Sequence, residues 1–180
     1  MNAFTSRIGA GLAALAAVTL FTAEPASGQE PMRSISVSRG SMEFDASGVG
    51  TTDVIALRAD RRLAGSWLLG ELGLAYSSIR EDLQANDTRL GVAELQLQAQ
   101  APFPYVQPYI GAGVGTLSYL TNAQGRGSVT EAVSAGAGLR VDVIRNFGLR
   151  ADGRIRYWDW NGEGFVNASG EITAGLAYRF

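Results

Sequence analysis

Twelve side chains in this sequence could do chemistry together. Arg58, Arg140, Arg150, Arg154, Arg156 and Arg179 are matched by Asp60, Glu71, Glu94, Asp142, Asp152 and Glu171. Two carboxylates on neighbouring segments, here Glu71 and Glu94, are what a glycosidase needs on either side of its scissile bond. The competing reading is that each carboxylate answers a guanidinium, because ion-pair networks also bring charges together. The even match of arginines to acids favours pairing. All fifteen basic residues are Arg, a planar and permanently charged group suited to buried pairs, although codon bias explains this equally well. His and Cys are absent, so the commonest general base, the thiolate nucleophile and the zinc-thiolate site are missing. A net charge of −2 argues against a nucleic-acid surface. No cofactor and no metal site is expected.

The spacing of these residues says what must hold them. Arg150, Asp152, Arg154 and Arg156 fall on every second position, with Leu149, Ala151, Ile155 and Tyr157 between them. Period two places alternate side chains on opposite faces of a strand. Seven such segments precede the C-terminus, separated by clusters of Gly, Asn, Asp, Ser and Pro. They run over 34–44, 52–61, 67–77, 89–101, 106–119, 130–143 and 147–158. The second sets Ile55, Leu57 and Ala59 against Arg58 and Asp60, and the third sets Leu68, Leu72, Leu74 and Tyr76 against Glu71 and Gly73. The fourth sets Ala93, Leu95 and Leu97 against Leu90, Val92, Glu94, Gln96, Gln98 and Gln100. The sixth sets Val133, Leu139 and Val141 against Ser134, Arg140 and Asp142. The first is irregular, with Ile35 and Val37 on one face and Met42 and Phe44 on the other, which predicts a bulge or bend near Gly40. The glycines Gly111, Gly113 and Gly115 alternate within a segment and no helix follows, so a phosphate cradle lacks its context.

The eighth segment is the clearest. From Ala168 to Phe180, the even positions are Ala, Gly, Ile, Ala, Leu, Tyr and Phe, whereas the odd positions are small or charged, including Glu171 and Arg179. At ~3.3 Å per residue it is roughly 40 Å long and, tilted by ~40°, covers about 30 Å, the thickness of a bilayer's hydrocarbon core. A chain that stops on an aromatic at the end of such a strand resembles the small bacterial outer-membrane β-barrels of the OmpX and OmpA transmembrane-domain type. The resemblance covers 29–180. It implies an all-β, eight-stranded, antiparallel, up-and-down transmembrane barrel, with Tyr178 and Phe180 as the C-terminal assembly signal read by the barrel-assembly machinery. It also implies outer-membrane lipid and lipopolysaccharide as surroundings, and a monomer. Lipid-A-modifying and proteolytic barrels rely on a histidine that this chain lacks, so no enzyme is expected.

Met1 to Arg7 carries one positive charge, Ile8 to Phe21 is an uncharged apolar run too short to span as a helix, and Ala26-Ser27-Gly28 is a small-x-small pattern. Residues 1–28 are therefore expected to be a cleaved signal peptide, with the cut before Gln29. Connections between the strands alternate long and short, with 45–51, 78–88, 120–129 and 159–167 long, and 62–66, 102–105 and 144–146 short. This is the parity of an outer-membrane barrel with both termini in the periplasm. Phe103, Tyr105, Phe147, Tyr178 and Phe180 would form the inner aromatic belt, and Tyr76, Tyr157, Trp160 and Phe165 the outer one.

Alternation does not itself say which face points inward. A lipocalin-like soluble barrel would enclose the apolar face around a ligand. Two features oppose it: the polar face is charge-balanced, as a crowded lumen requires, and the apolar face mixes Gly and Ala with large residues instead of clustering aromatics. Around the turn at 144–146 the favourable register sets Arg140 opposite Asp152 and Asp142 opposite Arg150, avoiding Arg140 against Arg150. Glu171 should face Arg154 or Arg156. Three functions follow as expectations: a structural or surface-interaction barrel, a narrow ion or small-solute channel gated by the ion-pair network, or a soluble ligand-binding barrel.

Overall fold

The computed structural model describes residues 33–44, 51–80, 87–121, 127–158 and 167–180. The proposed signal peptide, the tips of the four long loops, Trp160 and Phe165 lie outside these residues. Eight strands follow in order: β1 (Arg33–Phe44), β2 (Thr52–Ala64), β3 (Leu68–Arg80), β4 (Asp87–Gln100), β5 (Val106–Thr121), β6 (Gly127–Ile144), β7 (Phe147–Trp158) and β8 (Asn167–Arg179). Each pairs antiparallel with its neighbour in sequence, and β1 closes on β8. Several strands run beyond the expected segments, notably β2, β5 and β6, because backbone pairing continues where side-chain alternation has ended.

The hydrogen-bonded row that leaves β5 at Pro108 passes through Leu139, Ala151, Ala174, Arg39, Ile55, Tyr76 and Gly91, and returns to β5 at Ser118, a stagger of ten residues. That stagger fixes the strand tilt at roughly 40°. A barrel of this size leaves an interior that its own side chains can fill.

The predicted irregularity near Gly40 is absent. β1 pairs without interruption with β2 from Arg33 to Met42 and with β8 from Ser34 to Phe44. Gly40 reads as a break because a side chain cannot exist there: a Cβ would stand 1.8 Å from the carbonyl oxygen of Ile172. Met42 is simply an apolar residue on the inner face. Register shifts occur instead at Arg62/Ala64 and Asp142/Ile144, both beside short turns at the end where the chain termini meet. Gly65 takes the left-handed backbone (φ 51°) that the first of those turns requires.

The aliphatic face points outward. Ile55, Leu74, Leu97, Leu139, Ile172 and Leu176 are exposed, Leu176 by 63%, and Leu72 and Leu95 are half-buried on the same side. These leucines do not converge on a central cavity, which removes the soluble ligand-binding arrangement. At the terminal end Phe103, Tyr105, Phe147, Tyr178 and Phe180 are all exposed, and Tyr178 packs against Phe147 at 5.1 Å and Phe180 at 6.2 Å between ring centroids. Tyr76 and half-buried Tyr157 stand toward the loop end.

Candidate functional site: the packed lumen

The inward face carries the charged residues into one network. Arg58, Arg140, Arg150, Arg154 and Arg156 are buried against Asp60, Glu71, Glu94, Asp152 and Glu171, five guanidinia to five carboxylates. Glu71, on the inner face of β3 near its start, is the hub. It accepts hydrogen bonds from Arg150, from Arg154 at 2.5 Å and from the Gln98 amide at 2.8 Å, with Arg140 at 3.8 Å and Arg58 at 3.9 Å. Glu94 accepts from Arg154 and from Arg156 Nε at 3.0 Å. Glu171 accepts from Arg58 and from Arg156 at 2.8 Å. Asp152 accepts from Arg150 Nε at 2.9 Å, Arg154 at 3.2 Å and the Tyr109 hydroxyl. Asp60 accepts from Ser34 Oγ at 2.8 Å and from Arg140 and Arg150 at 3.3 Å each. The remaining pair, Arg179 and Asp142, sits at the terminal mouth and is partly exposed. A glutamine relay joins it to the rest: Gln107 donates to Asp142 at 3.3 Å, Gln100 donates to Gln107 at 3.2 Å, and Arg140 donates to Gln100 at 2.6 Å.

The expected register around the β6–β7 turn is overturned. Arg140 stands opposite Arg150, Asp152 opposite Gly138, and Asp142 opposite Gly148. The like-charge rule assumes that cross-strand neighbours are each other's partners. Inside a closed cylinder a long guanidinium reaches across the lumen instead. Arg140 turns to Asp60, Gln98 and Gln100 on β2 and β4, while Arg150 turns to Glu71 and Asp152. The Tyr109 ring lies beside both, with the guanidinium carbons 4.5 Å and 5.3 Å from its centroid. Glu171 does stand opposite Arg154 on the strand, yet its carboxylate bonds to Arg156 and Arg58.

Tyr109 and the lumenal glutamines were not singled out from the sequence. Parity on β5 already put Tyr109 on the face of Gly111, Gly113 and Gly115. Gly138, its partner on β6, makes the space, since a methyl group there would stand 2.3 Å from the phenol oxygen.

A second layer was not recognised as such from the sequence, although the alternation sets Leu90 and Val92 on the face of Glu94. Toward the loop end the lumen is apolar: Met42, Val54, Ala56, Ala75, Leu90, Val92, Leu117, Ala132 and Trp158 form one buried cluster. The ion-paired network thus extends toward the loops as far as Glu171, opposite Met42, and Arg156, two residues from Trp158, where hydrocarbon takes over. The space between the layers, lined by Arg58, Gly73, Ala75, Val92, Glu94 and Arg156 among others, is too tight for a water molecule. Glu71 and Glu94 share Arg154 and leave no room between them for a sugar or an attacking water. Among the described residues no group of three or more His, Cys, Asp or Glu could hold a metal ion.

A closed antiparallel barrel with an aliphatic exterior, aromatic edges and a filled, charge-balanced interior defines a membrane-spanning β-barrel. The family model for the outer membrane protein beta-barrel domain matches residues 13–180, and the chain belongs to that family. Its place is the outer membrane. Solved structures share the fold at low identity. Neisserial surface protein A superposes with a TM-score of 0.62 at 16% identity, over 84% of this chain and 98% of that one. The attachment invasion locus protein Ail of Yersinia pestis, in complex with the heparin analogue sucrose octasulfate, gives 0.63 at 18%, over 84% and 100%. The outer membrane enzyme PagL gives 0.53 at 16%, over 81% and 98%, so the fold alone does not decide whether a member is catalytic. No curated protein matches the chain by sequence.

Proposed function

We propose that this is a non-conducting, non-catalytic barrel that acts through its outer rim, as a structural or surface-interaction protein of the outer membrane. One observation supports this most: the lumen is occupied along its length, by ion pairs toward the termini and by a dry apolar layer toward the loops. An ion crossing it would have to break the five-to-five network and then pass Leu90, Leu117 and Trp158 without water. In this reading Arg58, Asp60, Glu71, Glu94, Arg140, Asp142, Arg150, Asp152, Arg154, Arg156, Glu171 and Arg179 hold the wall together and gate nothing. Catalysis is disfavoured because each lumenal carboxylate is engaged by arginine and no histidine exists to work with it.

Both termini then lie in the periplasm and the loops outside the cell, after removal of residues 1–28. Tyr178 and Phe180 present the C-terminal strand to the barrel-assembly machinery, and the folded protein is a monomer surrounded by lipid and lipopolysaccharide. The contact Ail makes with a heparin analogue is the kind of surface interaction the outer rim would make here. Planar-bilayer recording of the refolded protein tests the proposal. Silent membranes containing demonstrably inserted barrel are expected; discrete, reproducible current steps would replace this reading with the narrow channel.

A further inference from the structure

Between the two aromatic belts the outward face is mainly apolar, and Arg39 stands out on it as an exposed charge. Arg39 points outward from β1, level in its row with Ala174 on β8 and Ile55 on β2. The row climbs toward the loops from β5 through β8 to β3, reaching Tyr76 of the outer belt two strands further on. At ~3 Å of rise per strand, the Arg39 backbone lies about 6 Å below that tyrosine, inside the hydrocarbon. Arg61 shares the outward parity on β2 but is buried, whereas Arg39 is exposed. Its guanidinium rises to Asp53, where Nη2 donates to Oδ2 at 2.7 Å, and both side chains are 73% exposed.

That exposure is to lipid, and the exposed guanidinium still has donors to spare. A charge on the lipid face of a barrel costs about 2–4 kcal/mol at the midplane and little at the interface. Arg39 avoids the larger cost by rising to Asp53, and keeps N–H groups beyond the one given to that carboxylate. The chemistry that satisfies an exposed guanidinium at this depth is a phosphate oxygen, which it binds in a fork. We infer that the Arg39–Asp53 pair on the β1–β2 face is a docking site for the phosphate of a phosphorylated glycolipid in the outer leaflet, seated with its acyl chains against Val37, Leu57 and Ile172. The inference rests on the loops facing outward, as proposed above, and is otherwise independent of whether the lumen conducts.

The test uses the full refolded barrel in detergent micelles, with bis-phosphorylated lipid A as probe and native mass spectrometry as readout. Dephosphorylated lipid A and phosphatidylglycerol serve as comparisons, and Arg39→Leu and Arg39→Lys as variants. The heat shift on a gel establishes that both variants are folded. The wild type is expected to bind the bis-phosphorylated lipid about tenfold more tightly than Arg39→Leu, the equivalent of one charge-assisted hydrogen bond. Arg39→Lys should keep part of that preference, and dephosphorylated lipid should bind wild type and Arg39→Leu alike. Equal binding of the phosphorylated lipid by wild type and Arg39→Leu overturns the site. Phosphatidylglycerol binding as tightly as lipid A overturns the choice of glycolipid. Dimers lost in Arg39→Leu would mean that a second copy covers this face, and would also overturn it.

Discussion

The two layers of the lumen solve one problem by opposite means. Toward the termini, water is excluded by a network in which each carboxylate serves two or more donors, as Glu71 serves Arg150, Arg154 and Gln98. Toward the loops, it is excluded by the packed side chains of Met42, Val54, Leu90, Leu117 and Trp158. The charged layer is all-or-none: removing one partner strands the others in a medium that cannot solvate them. The apolar layer is graded, because each lost methylene costs its own transfer and cavity terms. A wall filled with charge specifies which strands face each other across the barrel, whereas a wall filled with hydrocarbon specifies only volume.

The sharpest way to break this contrast is to remove the hub. Glu71→Ala leaves Arg150 and Arg154 without their shared acceptor, and should destabilise the barrel by about 3–5 kcal/mol, read from urea unfolding in lipid vesicles followed by tryptophan fluorescence. A cost near that of an ordinary surface substitution would mean that water reaches the network. Leu117→Ala, in the other layer, should cost about 2–4 kcal/mol while keeping the heat-shifted band of a folded barrel. Gly138→Ala probes the joint at Tyr109, where the added methyl must displace the ring, and should cost roughly 1–3 kcal/mol. Its effect should shrink when combined with Tyr109→Ala, which removes the ring, and full additivity of the two would deny the contact. Asp142→Asn, at the partly exposed mouth, should move the unfolding midpoint least, by less than about 1 kcal/mol.

How much of this was legible in the sequence follows the same division. Period two on β7 and β8 is visible because the lipid face excludes charge and the lumenal face of these strands concentrates it, so Arg154 and Glu171 announce their side unaided. The apolar layer was hidden by the same rule. Met42, Leu90, Leu117 and Trp158 share parity with the charges, so on each strand an inward hydrophobe looks like a lapse in the pattern, and at Gly40 the lapse read as a bulge. Register was the least legible property. Arg140 against Arg150 looks forbidden along a ladder, and becomes acceptable only when β2, β3 and β4 bring Asp60, Glu71 and Gln98 across the lumen. No local window of sequence contains that closure.

The central claim, lipid on one side of each strand and a dry lumen on the other, is tested most directly along β8. The chain has no cysteine, so Ile172→Cys, Thr173→Cys, Ala174→Cys, Leu176→Cys and Ala177→Cys can be made one at a time and refolded into vesicles. The account predicts that fluorophores at 172, 174 and 176 are quenched by brominated acyl chains, while thiols at 173 and 177 react with neither lipid-soluble nor water-soluble maleimides until the barrel is unfolded. Rapid labelling of 173 and 177 by the water-soluble reagent in the folded barrel would contradict it.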